Sequence, residues 1–521
     1  MDSDKEDDVS KRFLPNLTMN VLAFALNFTV GILLVPYFIT ELGGYHAYGI
    51  VTISTSITSY VLLASDSISS SISRYMTMYT RKGSKEETLK TYNTSVFGIL
   101  RIIMILIPLA ILVALASPFL FDAGTQTSVD VQILFICVMA SVLVTSFGSG
   151  FMSVLFANNR LDLKKTVKIV HILAQVSLII LFFNIWPPSL PSIGFAYLIS
   201  AVVSVVLSYM LSRRTAPYLN MDPSGFDMER FREIYRMSVW SLVSALGILL
   251  LLETSKIIVN LMLGTEQAGY YGVITSIVGM LIVMVSMLGV VFTPITYRSY
   301  ADGRISDMVR TCKSAVKMIG ILLAMPVAFI CVFSDQLLLA WLPGDVTFLS
   351  KELWIILFLF IFVISVQPLY PISKAYVKVK IPALVTLVLG AVNVILAVIF
   401  IGVFNMNISG AALAWVISMV MKNGIFIVWY NAKISGTSYF NFMRPLLCGF
   451  GLYLLSLLMC FAVNAVLDVP AAFVPLMAVA FVLFIVFIAS VPRFILSKEE
   501  KNLIRRCLPK SLEPVLSKIF L

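Results

Sequence analysis

Five charges and one serine stand where an almost continuously apolar sequence has little room for polarity. Asp66, Glu253, Lys256 and Lys422 fall inside long hydrophobic runs, Arg74 sits at the edge of one, and Ser69 shares a stripe with Asp66. A charge inside a membrane span costs on the order of 2.5–3.5 kcal/mol on insertion scales, so it persists where it faces a cavity or a partner. The carboxylates Asp66 and Glu253 are candidates to titrate or to couple an ion. The ammonium groups of Lys256 and Lys422 can hold an anion, and a guanidinium such as Arg74 can clamp a phosphate bidentately. Glu253 and Lys256 are three residues apart and share a helix face. That spacing fits a self-neutralising pair or a pair lining a cavity. Arg74 equally suits a snorkelling interfacial role. Lys422, beside Asn423-Gly424, lies too deep in its run to snorkel comfortably. Ser65, Asp66, Ser69 and Ser73 recur at helical spacing, a polar stripe suited to lining a cavity.

The elements that must position these residues are membrane helices. Hydrophobic residues make up 59% of the 521, charged residues 12%, and mean hydropathy is +0.96. Such a composition excludes a soluble chain and points to an all-α polytopic membrane protein. Fourteen apolar runs are long enough to span: about 13–39, 47–73, 96–117, 132–156, 168–186, 193–211, 237–263, 269–296, 313–333, 352–373, 382–402, 408–429, 444–464 and 471–492. Basic residues concentrate in alternate connections, among them Lys11, Arg12, Arg81, Lys82, Arg160, Lys164, Lys165, Arg213, Arg214, Arg304 and Lys433. Of the 38 Lys and Arg, Lys351 alone falls clearly on the other side, and Lys256 lies within a span. By the rule that basic loops stay cytoplasmic, the chain is expected to span the cytoplasmic membrane with both termini on its cytoplasmic side. The acidic start, MDSDKEDDVSKRF, lacks the pattern of a signal peptide. The tail after residue 494 mixes basic and apolar residues and suits an interfacial helix or a solvated tail.

Other chemistries find little support. The net charge of +11 is spread through short loops, so no nucleic-acid partner is expected. The six Cys, Cys507 included, are scattered and read as small hydrophobes, and the two His, His46 and His171, are far apart in sequence. No metal site and no cofactor are expected. No G-x-x-x-x-G-K-[ST] phosphate loop occurs. The connections are too short for a soluble catalytic domain, so the chain is not expected to be an enzyme.

Two phrases echo one another. ELGGYHAYGI at 41–50 and MLGTEQAGYYGV at 262–273 align Leu42-Gly43 and Ala47 with Leu263-Gly264 and Ala268. AYLIS at 196–200 and AWVIS at 414–418 have nearly the same offset, and Arg74-Tyr75 matches Tyr297-Arg298 in position. Six spans return the chain to its starting side, so such a duplication gives two parallel lobes. The expected organisation is a segment 1–12, a lobe over 13–211, a linker over 212–236, a second lobe over 237–435, two additional helices over 436–494 and a basic tail over 495–521. Gly43, Gly44 and Gly49 are expected to let the first turn reverse tightly.

These phrases carry a resemblance. VPYFITELGGYHAYG ends the first span, LLASDSISSSISRYMTMY lies in the second, SKIIVNLMLGTEQAGYYG closes the seventh, and NMNISGAALAWVIS opens the twelfth. In that order, over about residues 10–435, the chain resembles the polysaccharide and O-antigen (Wzx-type) flippases of the multidrug/oligosaccharidyl-lipid/polysaccharide (MOP) exporter superfamily. The resemblance implies a V-shaped pair of six-helix lobes and transport of an undecaprenyl-diphosphate-linked oligosaccharide by alternating access, coupled to H⁺ or Na⁺. It implies membrane lipids and polysaccharide assembly proteins as neighbours. It also implies basic residues holding the anionic head, for which Arg74 and Lys256 are the nominees, with Lys422 and Ser69 as further cavity candidates. A multidrug exporter of the same superfamily is the alternative. An unrelated 6+6 transporter and a membrane glycosyltransferase or polymerase fit less well.

Overall fold

The computed structural model describes residues 3–120, 126–496 and 501, and helices account for nearly all of them. They are α1 (Ser3–Glu41), α2 (Tyr45–Lys82), α3 (Lys85–Leu120), α4 (Ser128–Ala157), α5 (Leu161–Ile185), α6 (Leu190–Thr215), α7 (Met228–Leu252), α8 (Thr254–Leu263), α9 (Thr265–Ala301) and α10 (Ile305–Val332). Then follow α11 (Ser334–Trp341), α12 (Ser350–Phe358), α13 (Phe360–Ile364), α14 (Tyr370–Ala375), α15 (Lys380–Gly402), α16 (Asn407–Met419), α17 (Val428–Ile434), α18 (Tyr439–Val466) and α19 (Phe473–Ile495). Among the described residues 13 helices are long and apolar enough to cross a membrane, and 14 if one bent pair is a single span. Each of the fourteen expected runs falls on one of these helices or on the bent pair. The expected tail, with Cys507, lies almost wholly outside the described residues. The other five cysteines are free thiols and four are buried.

The chain forms two compact units, Met1–Val273 and Ile274–Leu521. In the first, α4 is the hub and packs on α6, α2 and α3. Small residues allow the close approach: a Cβ on Gly148 would lie 2.9 Å from Val205, and one on Gly194 2.9 Å from Cys137.

The two echoed turns meet within this unit. Gly43 (φ 80°), Gly44 (φ 134°) and Gly264 (φ 96°) occupy turn conformations that L side chains rarely adopt. Gly49 does not: it lies inside α2. A Cβ there would sit 2.2 Å from the Thr265 carbonyl oxygen, and a Cβ on Gly269 would sit 2.1 Å from the Tyr45 carbonyl oxygen. The contact is reciprocal, 45 to 269 and 49 to 265, with the Tyr45 and Tyr270 rings 4.6 Å apart beside it. The equivalent helix positions are therefore 220 apart. The first turn carries one more glycine than its echo, which moves the Ala47–Ala268 match out of register by one residue.

The connection between α6 and α7 is strapped to α2 and α3. Asp222 N–H donates to Asn93 Oδ1 and Asp227 N–H to Thr94 Oγ1, each at 3.1 Å. Asp227 caps α7 by accepting from Glu229 N–H (2.7 Å) and Arg230 N–H (3.1 Å), and pairs with Lys90 at 2.6 Å. Arg230 pairs with Glu87 at 2.6 Å and bonds the Tyr79 hydroxyl. The hydrogen bond from Lys90, then those from the α7 backbone, hold the Asp227 carboxyl below its ordinary value. Its contribution is present above the unfolded pKa of about 4 and is lost as pH falls through the lower folded value. Asp227→Ala should cost on the order of 1 kcal/mol through the lost cap. Thermal unfolding of the purified protein at neutral pH should show a lower midpoint, and the gap from wild type should narrow at acid pH.

In the second unit α10 packs on α18, with Gly320 against Gly449. The tenth span is broken. The α12 and α13–α14 segments bend by 49° at Leu359, and a 3₁₀ turn over Gln367–Leu369 follows. Pro368 and Pro371 supply no backbone N–H, so the ladder cannot run through that turn. The twelfth span is irregular too: between α16 and α17 it widens into a π-helix over Val420–Ile427.

Candidate functional site

The polar stripe of α2 lines a cleft. Asp66, Ser69, Ser70, Ser73, Arg74, Thr77 and Arg81 follow one another at steps of one, three or four residues, so they share one face. Together with Phe156 of α4 and Lys164 of α5 they bound a space of about 660 Å³. Asp66 and Arg74 are both exposed into it. Arg74 lies eight residues beyond Asp66, about 12 Å along the helix. The cations facing Asp66 are Lys164 and Lys168. The Lys164 ammonium also stands 5.5 Å from the centroid of the Phe156 ring. Arg74, Arg81 and Lys164 form no ion pair among the described residues. Three cations and one carboxylate thus share a cleft with unused hydrogen-bonding capacity, a suitable receptor for a multiply charged anion.

A smaller chamber of about 180 Å³ opens off this cleft and shares Asp66, Ser69, Ser73 and Lys164 with it. Its remaining walls come from α2, α4 and α6. Ser69 Oγ lies 2.7 Å from Ser149 Oγ and 2.7 Å from the Ser65 carbonyl.

The expected site residues therefore divide into three groups. Asp66, Ser69 and Arg74 are brought together. Glu253 and Lys256 form an ion pair with each other at 2.9 Å and are not among the residues lining the cleft. They sit where the seventh span is interrupted. Glu253 separates α7 from α8, and the Thr254 hydroxyl, 3.3 Å from the Leu249 carbonyl, intrudes into the backbone ladder. Thr254 also bonds the Tyr60 hydroxyl of α2.

Lys422 belongs to the second unit, on the π-helix. It is only 5% exposed. Its ammonium lies 3.4 Å from the Tyr370 hydroxyl and makes no ion pair among the described residues. Tyr370, on the far side of the broken tenth span, donates to Asn423 Oδ1 at 2.8 Å, and Asn423 Nδ2 donates to the Val363 carbonyl at 2.6 Å. Two irregular helices thus satisfy one another's polar groups around a buried lysine.

Sequence reasoning missed Lys164 and Arg81 as members of the cleft, having read both as loop charges. The helices extend further than the apolar runs: α5 begins at Leu161 and α2 ends at Lys82. The signal was the periodicity itself, since Arg81 continues the 66–70–74–77 face.

Residues 13–299 match the family described as Polysaccharide biosynthesis protein. The uncharacterized membrane protein EpsK of Bacillus subtilis (strain 168) is 27% identical over 442 residues, which is 84% of this chain and 86% of EpsK. Among solved structures, the lipid II flippase MurJ in an inward closed conformation aligns with a TM-score of 0.67 at 16% identity, covering 90% of this chain and 98% of MurJ. An inward-facing multidrug resistance MATE family transporter of the MOP superfamily aligns with a TM-score of 0.63 at 15% identity, covering 81% and 98%. At those identities the likeness is one of fold, and it bears out the expected all-helical MOP architecture. The chain belongs to the family described as Polysaccharide biosynthesis protein, and its helices share the fold of MurJ and of the MATE family transporter.

Proposed function

We propose that this protein moves a lipid-diphosphate-linked oligosaccharide across the cytoplasmic membrane by ion-coupled alternating access during surface polysaccharide synthesis. The observation that carries the reading is the cleft of the first unit, where Arg74, Arg81 and Lys164 outnumber Asp66. A diphosphate has the charge and the acceptor oxygens to engage such a group of donors. A site for cationic drugs would need the opposite balance, which disfavours the multidrug alternative. In this reading Asp66 and Glu253 are the ion-coupling candidates, with H⁺ or Na⁺ as the ion, and Lys256 and Lys422 serve their own parts of the transport path. Lobes over 13–211 and 237–435 move about the linker, both termini face the cytoplasm, and polysaccharide assembly proteins receive the product. The lipid II flippase MurJ, which shares this fold, has an analogous task.

The test is deletion of the gene in its host, with lipid-diphosphate-linked oligosaccharides quantified by mass spectrometry before and after restoring it. A completed repeat unit should accumulate severalfold in the deletion strain and fall on restoration. Unchanged lipid-linked sugars, together with heightened sensitivity to cationic drugs, would replace this reading with the multidrug one.

A further inference from the structure

The small chamber off the cleft has a chemistry of its own. Hydroxyls of α2, α4 and α6 surround it, and most of their protons are already committed. Ser69 bonds the Ser65 carbonyl, Thr145 that of Ser141, Ser149 that of Ser146, Ser153 that of Gly150 and Ser208 that of Val205, at 2.6–2.8 Å. A hydroxyl whose proton is spent on its own helix still has a lone pair to offer. The chamber therefore presents mainly acceptors, with the Asp66 carboxylate among them, while Lys164 is a donor at the same wall. Ser146 lines it as well, and its hydroxyl, buried, has no hydrogen-bond partner among the described residues.

An acceptor-rich wall suits a ligand rich in O–H donors, or a metal cation. The Lys164 ammonium disfavours a second cation in the same space. At 180 Å³ the chamber would hold about six waters, far more room than one ion needs and about the size of one sugar ring. Its position adds a constraint. Asp66, on the chamber wall, is about 12 Å along α2 from Arg74, close enough for a diphosphate at the arginines and its attached sugar to occupy both spaces at once.

We propose that this chamber, enclosed by α2, α4 and α6, is a monosaccharide subsite for the sugar joined directly to the lipid diphosphate. It rests on the proposed carriage of a lipid-diphosphate-linked glycan and adds where that glycan is read: within the first unit, at its first sugar. Ser149, half-buried on the chamber wall, is the position from which a larger side chain would fill the space.

The experiment measures binding by the purified, detergent-solubilised full chain. The probes are a polyprenyl diphosphate without sugar and the same lipid bearing one hexose or one N-acetylhexosamine. Wild type should bind at least one sugar-bearing lipid about tenfold more tightly than the bare one, the worth of one or two net hydrogen bonds. Ser149→Leu should erase that gain and leave affinity for the bare lipid unchanged. Thr145→Val, which removes a hydroxyl without adding bulk, should reduce the gain and serves if the leucine variant does not fold. Arg74→Ala should weaken both kinds of lipid alike. Equal binding of bare and sugar-bearing lipids by wild type, or a gain that survives in both chamber variants, would overturn the subsite while leaving the transport reading intact. Failure of wild type to bind any of these lipids would overturn both.

Discussion

Arg74→Glu is expected to abolish export and to cause lipid-linked oligosaccharide to accumulate as in the deletion strain, while the protein still inserts and folds. Arg74 is exposed into the cleft and makes no ion pair among the described residues, so its loss leaves no buried carboxylate stranded. On the proposed reading it removes a pair of charge-assisted hydrogen bonds to the anion, worth about 1.5–3 kcal/mol each, and the reversal puts a second carboxylate in the cleft to repel that anion. Arg74→Ala should therefore lower affinity for the diphosphate by at least about tenfold, and Arg74→Lys should recover only part of it, because an ammonium cannot make the bidentate contact. Lys256→Ala should act more weakly on binding, since that ammonium is engaged with Glu253 at 2.9 Å. Membrane yield and thermal midpoint separate a binding defect from misfolding. Full export by a well-expressed Arg74→Glu variant would remove the cleft from the transport path.

The second large effect is expected at Gly269. A single methyl there would meet the Tyr45 carbonyl oxygen at 2.1 Å, and the obstacle is backbone, which no rotamer change relieves. Overpacking of this kind costs about 1–3 kcal/mol, enough to lower the melting midpoint by a few degrees and to reduce folded protein in the membrane. Gly49→Ala should behave alike, because the contact is reciprocal. The double variant should cost less than the sum, since once the helices have parted for one methyl the other has room. Gly279→Ala is the control: nothing lies within 4 Å of a Cβ there, and alanine favours the helix. If Gly269→Ala melts with the control, the close crossing does not exist in the membrane.

Much of this architecture was legible because membrane helices are coded by long apolar runs and by the alternation of basic loops. The stripe of α2 was legible for a related reason: polar residues at helical spacing inside an apolar run must share a face. What a single sequence conceals is which helix lies opposite. Lys164 looks like a loop lysine until α5 is placed against α2, and Gly49 looks like a turn residue until α9 is placed against it. The interruptions were half legible. Pro368 and Pro371 announce trouble in the tenth span, whereas nothing in VMKNGIFI announces a π-helix and nothing around Glu253 resembles a helix breaker. There the cause is tertiary, or a threonine hydroxyl competing for a backbone carbonyl.

The wide turns around Lys422 have a consequence for how this stretch tolerates change in length. A π segment holds a residue more than an α-helix would need to cover the same rise. Deleting any one residue between 420 and 427 would let the run close to ordinary α geometry. In a regular α-helix, which turns by about 100° per residue, a deletion swings everything on one side of the cut to a different face; here the surplus residue absorbs it, and α16 and α17 keep the faces they present. The packing of α17 on α18 would hold, while side chains inside the run, Lys422 against Tyr370 among them, would be displaced. In this part of the chain the count of residues carries information that their identities do not, and a screen of single deletions would find it where a screen of substitutions would pass it by.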